Sequence, residues 1–137
     1  MIRRLLSVIA GIAIGVITIF ILESVSHFMY PPPDDIYFEN PDRLKSIMAD
    51  APIGSLILVI VAYALGAMAG GFTTCLMANR SKKVLALTTG LILMVFGILN
   101  MIMIPHPWWF WLMSLPVYMP MACAGYGLGV HLIRSQN

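Results

Sequence analysis

The sequence predicts an all-α integral membrane protein. The expected form is a four-transmembrane-helix antiparallel bundle with both termini cytoplasmic and a short amphipathic helix in its outer loop. Three observations predict it. First, 60% of the 137 residues are hydrophobic and 10% charged, with a mean hydropathy of +0.90. A soluble domain of this size has too much surface for its volume to hide so many apolar groups, so lipid is the expected solvent. Second, the apolar residues fall into four long runs, about 5–29, 53–78, 84–104 and 108–132, each bounded by charge or proline. Third, Arg3, Arg4, Arg80, Lys82, Lys83 and Arg134 fall on one side of a four-span arrangement, with only Arg43 and Lys45 on the other.

The first run follows Arg3 and Arg4. From Leu5 to Leu22 it is longer than the roughly 7–15 residues of a signal-peptide core, and no A-x-A site follows it. It meets the roughly 20 residues that a hydrocarbon core requires, and reads as a retained first helix. The outer loop, about 30–52, comes next. Tyr30-Pro31-Pro32-Pro33 should be extended, because each proline fixes φ and pushes its predecessor out of the helical region. Asn40-Pro41-Asp42 has the order of an N-cap, a first-turn proline and an acid suited to the helix dipole. Leu44, Ile47 and Met48 then follow at i, i+3 and i+4, which predicts an amphipathic helix at about 41–49.

The second and third runs are joined by Asn79–Lys83, the third and fourth by Pro105-His106-Pro107. Connections this short make successive helices antiparallel neighbours. Trp108, Trp109, Phe110 and Trp111 at the start of the fourth run suit an aromatic belt at the outer interface. Pro116 and Pro120 lie inside that run and should kink it or open local carbonyls. The positive-inside rule places the termini and the 79–83 turn in the cytoplasm. All six acidic residues (Glu23, Asp34, Asp35, Glu39, Asp42 and Asp50) lie at or beyond the outer end of the first helix. Small-residue pairs Gly11/Gly15, Gly66/Gly70 and Gly125/Gly129 have the G-x-x-x-G spacing that lets helix backbones approach. Packing within the chain is the expected use, an oligomer interface the alternative.

The candidate polar cluster comprises Glu23, His27, Asn100, His106, Ser114 and Tyr118. Glu23 and His27 share one helix face a turn apart. Glu23 lies about 10 Å inward of the triple proline, and an ionisable group at that depth is costly enough to suggest function. Three readings stay open. The pair is structural, with His27 donating to Glu23; or Glu23, His27 and His106 serve a metal ion or a proton; or the cluster recognises a lipid head group or amphiphile beneath the loop helix. A metal ion is the only candidate cofactor. Cys75 and Cys123 lack metal or disulfide spacing and read as packing residues, His131 suits a helix C-terminus, and the eleven methionines read as apolar filler. Phosphate-loop, nucleophile-elbow and H-E-x-x-H signatures are absent, and a net charge of +2 gives no reason to expect nucleic acid.

The stretches Glu23-Ser24-Val25-Ser26-His27-Phe28-Met29-Tyr30-Pro31-Pro32-Pro33 and Ile104-Pro105-His106-Pro107-Trp108-Trp109-Phe110 resemble a group of small, uncharacterised bacterial four-span membrane proteins. These share E-x-x-x-H-x-x-Y-P-P-P and P-H-P-x-W-F segments. The resemblance covers nearly the whole chain, including the Gly/Ala-rich stretch Tyr63–Gly71. It implies a bacterial inner-membrane location and a four-span fold, and brings no activity. The expectation is therefore a single transmembrane domain, 1–137, in the inner membrane. Its partners would be the lipid bilayer and a membrane-protein partner or second copy. A non-enzymatic accessory or subunit is the leading reading. A small metal-ion or proton transport element is the rival, and an enzyme acting on a lipophilic substrate comes third.

Overall fold

The computed structural model describes residues 2–31 and 41–136, without the side chains of Pro41 and Arg43. The triple proline beyond Pro31 and the Asn40 cap lie outside the described residues. Every regular element described is helical: α1 (Ile2–Met29), α2 (Pro41–Ala49), α3 (Ile53–Met77), α4 (Lys82–Met103), α5 (Trp108–Ser114), a 3-10 turn at Leu115–Val117, and α6 (Tyr118–Ser135). At about 1.5 Å per residue, the 28, 25 and 22 residues of α1, α3 and α4 extend about 42, 38 and 33 Å. These three helices are long and apolar enough to cross a membrane.

Local chemistry sets the boundaries. Pro52 is extended at ψ 130° and its carbonyl accepts the Ser55 hydroxyl at 2.7 Å, so the chain enters α3 from a fixed corner. Ala78 leaves α3 extended, and Ser81, at φ 54°, turns the chain into α4. Pro105 closes α4 behind the last bond, Ile104 N–H to Asn100 O at 2.9 Å. The fourth apolar run is divided rather than a single helix. Pro116 and Pro120 lack the N–H groups that would bond the carbonyls of Leu112 and Pro116, and the backbone tightens to 3-10 geometry at Leu115–Val117. Dihedrals on both sides of the turn stay helical, so α5 and α6 run on from each other.

The packing is inside-out compared with a water-soluble bundle. The buried residues of α1 are Ser7, Val8, Gly11, Gly15 and Ser26, while Ile9, Ile14, Ile17, Phe20 and Ile21 are exposed. Small residues turned inward and large apolar ones turned outward are what lipid as solvent favours. The backbones of α1 and α3 meet closely. A Cβ added at Gly15 would lie 3.0 Å from the Gly66 carbonyl oxygen, and one at Gly70 would lie 2.9 Å from that of Gly11. Gly11 opposite Gly70 and Gly15 opposite Gly66 makes the two helices antiparallel. On the other side of α3, Gly125 abuts Met68 and Phe72 and Gly129 abuts Cys75, so α6 runs parallel to α3. Helix α4 completes the bundle against α3 through a buried Thr74–Thr89 hydroxyl bond of 2.8 Å. Helix α3 touches every other long helix and is the hub of the fold.

Candidate polar cavity at the Met29 end

A cavity of about 740 Å³ opens where α1 ends and α3 begins. Helix α1 brings Glu23 and His27 to it, one turn apart on one face. Leu44, Ile47 and Met48, the apolar edge of α2, form one wall, and Leu44 is the buried member of the three. Leu56 and Val59 of α3, and Asn100 of α4 with Ile104 and His106 just beyond it, supply the rest.

Glu23 is half-buried, and among the described residues its carboxylate has no hydrogen bond or ion pair. His27 is exposed, and no bond joins it to Glu23, so the structural pairing of the two is not formed. Ser26, between them in sequence, also borders the cavity. It is buried and its hydroxyl donates to the Ser55 carbonyl at a long 3.4 Å.

Asn100 has a partner that sequence reasoning missed. Its Nδ2 donates to the Tyr63 hydroxyl at 2.9 Å. Tyr63 in turn stacks on Tyr118, with centroids 5.5 Å apart, and meets Phe110 edge-on at 6.2 Å. These three buried rings belong to the apolar core of the bundle. A signal was available, since Tyr63 places a polar hydroxyl inside the otherwise apolar run Leu56–Gly71.

Ser114 and Tyr118 do not reach the cavity wall. Ser114 is buried and donates to Met101 Sδ at 3.4 Å. Tyr118 is fully buried and its hydroxyl has no partner among the described residues. It fits because Gly97 faces it: a Cβ there would lie 2.9 Å from the Tyr118 Cζ.

His106 is fixed by its backbone. Its Nδ1 lies 2.6 Å from the Ile104 carbonyl, which can only accept, so the proton sits on Nδ1 and Nε2 keeps its lone pair. The ring stacks on Phe110 at 4.4 Å. Burial pushes the imidazole pKa below its ordinary value, and the Ile104 carbonyl only partly opposes this. The neutral ring is the favoured form.

Glu23, His27 and His106 thus border one cavity without forming a ligand set. Among the described residues, no three His, Cys, Asp or Glu side chains gather closely enough to hold a metal ion. Two carboxyl groups instead stand in an apolar frame. Glu23 and Asp50 both line the cavity, and no lysine or arginine side chain stands among its described lining. The nearby hydroxyls of Ser26 and Ser55 are turned to backbone carbonyls, away from either histidine. Comparison with protein-family models, with curated proteins and with solved structures finds no match.

Proposed function

We propose that this chain is a non-enzymatic, four-span inner-membrane protein whose cavity binds an amphiphile with a positively charged head. One observation carries the reading: the Glu23 carboxylate has no partner among the described residues and lines a space large enough for an organic cation. An anion at membrane depth is stable only with a counter-charge, and an apolar-walled cavity selects a cation with a hydrophobic body. Asp50 adds a second negative charge at the wall, and Leu44, Ile47, Leu56 and Val59 provide contact for the apolar part. The Asn100 side-chain oxygen, its Nδ2 held by Tyr63, and the Nε2 lone pair of His106 are acceptors for an ammonium or its bound water.

In this reading α5, the 3-10 turn and α6 together form the fourth span, supported by their continuous helical dihedrals. The sorting of Arg3, Arg4, Arg80, Lys82, Lys83 and Arg134 to one end supports cytoplasmic termini, with α2 and the cavity outside. The chain then acts as an accessory or subunit that presents or retains its ligand for a membrane partner. Cation binding is tested with tetraphenylphosphonium, titrated calorimetrically against the protein in mild non-ionic detergent. Removing one partner of a desolvated charge pair typically costs 2–5 kcal/mol, so Glu23→Gln should weaken binding at least about tenfold. Asp50→Asn should weaken it less. Equal affinity in the Glu23→Gln protein would remove the basis of the proposal.

A further inference from the structure

At the opposite end of the bundle, Arg3, Arg4, Asn79 and Arg80 line a depression of about 340 Å³. It forms where the start of α1 meets the turn between α3 and α4. Arg3 is anchored there: its Nε donates to the Met77 carbonyl at 3.2 Å, satisfying one of the free carbonyls at the end of α3. Ser81 reverses the chain in the left-handed region immediately after Arg80. Three arginine side chains therefore border one small recess.

Among the described residues, no carboxylate pairs with them. All six carboxylates lie between residues 23 and 50, and the described ones belong to the end where α1 finishes. Among the described residues, Arg3, Arg4 and Arg80 form no ion pair. Like charges gathered at one end of a bundle repel, and an anion among them relieves the repulsion. The recess lies at the ends of α1 and α3, two helices long and apolar enough to cross a membrane, and so at the level where lipid phosphates lie. Guanidinium forks match phosphate oxygens in pairs, and the Asn79 amide can add a neutral donor.

We propose that Arg3, Arg4 and Arg80, with Asn79, bind the phosphate of an anionic lipid head group. The site is independent of the cavity at the other end and of what that cavity binds. The test is native mass spectrometry of the full chain in mild detergent, titrated with phosphatidylglycerol and separately with phosphatidylcholine. Phosphatidylglycerol should be retained in preference. Each of Arg3→Gln, Arg4→Gln and Arg80→Gln should weaken that retention about fivefold, and the triple variant roughly a hundredfold.

Lys45→Gln, a loss of equal charge away from the recess, should leave retention unchanged; an equal loss there would overturn the site. The triple Arg→Lys variant keeps the charge that governs insertion and protects against a misfolded triple glutamine. It should lose several-fold, because an ammonium cannot form the paired contact, and unchanged retention would overturn the guanidinium site. Inorganic phosphate displacing the lipid at millimolar concentration would overturn the lipid as its source.

Discussion

His106 is held by two neighbours. The Ile104 carbonyl accepts its Nδ1–H and Phe110 covers its face, while burial disfavours a charge on the ring and outweighs the opposite pull of the carbonyl. Its folded pKa therefore lies below the ordinary 6.5 that the unfolded chain shows. Between those two values the unfolded chain binds more protons, so the histidine's contribution is fully present above 6.5. It declines as pH falls through 6.5 and is lost once pH passes the folded value. Thermal unfolding in detergent between pH 8 and 5 should show this decline. His106→Phe, which keeps a ring on Phe110, should flatten it; an unchanged slope would mean that another group titrates. Tyr118 is a different kind of residue, a buried hydroxyl without a partner among the described residues, which is an unusual and costly arrangement. The place of Glu23 about two turns before the end of α1 was legible from helical rise alone, because proline follows close on the end of that helix. The Tyr63–Asn100 contact was not. Tyr63 lies ten residues into α3 and Asn100 three from the end of α4, and how those two helices are offset in height depends on the Ala78–Ser81 turn that joins them.

At the level of the helix, glycine spacing decides how closely two backbones approach, and the two glycines two residues apart in α6 make a clean comparison. A Cβ at Gly125 would lie 2.8 Å from the Phe72 backbone nitrogen and closer still to the Met68 carbonyl, neither of which can rotate away. At Gly127 nothing stands within 4 Å. Gly125→Ala should therefore destabilise the fold by about 1–3 kcal/mol through overpacking. Gly127→Ala should be neutral or stabilising by less than about 1 kcal/mol. Denaturation by SDS titration reads both, and equal effects would mean that α6 does not rest on α3 along this face. All six glycines in the G-x-x-x-G pairs lie against another helix of the same chain or its side chains, which leaves those faces covered. The motif in sequence could not distinguish this from a contact between copies, because its geometry is the same in both. The prolines of the fourth run were legible as a disturbance. Their outcome, a short 3-10 tightening with helix on either side, depends on the packing of Phe110 and Tyr118 in the core.

For the whole molecule, the coarse architecture was the most legible part. An all-helical chain with three helices long and apolar enough to cross a membrane follows from composition and run length, because a backbone in lipid must satisfy its own hydrogen bonds. The cavity was legible only as a set of polar residues at similar depth. Its walls come from α2, whose apolar edge sequence showed, and from the heights at which α1, α3 and α4 end, which it did not. The placement of Glu23 has an electrical consequence. It stands six residues before the end of α1, about 9 Å by helical rise. In the proposed orientation, a cation reaching it from outside has crossed roughly a third of a 30 Å core. A full crossing is worth about 2.3 kcal/mol per charge at 100 mV, so a third is worth about 0.7 kcal/mol, or roughly a threefold change in affinity. Tetraphenylphosphonium retention by proteoliposomes, corrected for protein-free vesicles and compared with the Glu23→Gln chain, should rise by that factor when the interior is made 100 mV negative. A retention that ignores the potential would place the carboxylate outside the field. On this reading, the Glu23 carboxylate couples occupancy of the cavity to the energised state of the membrane.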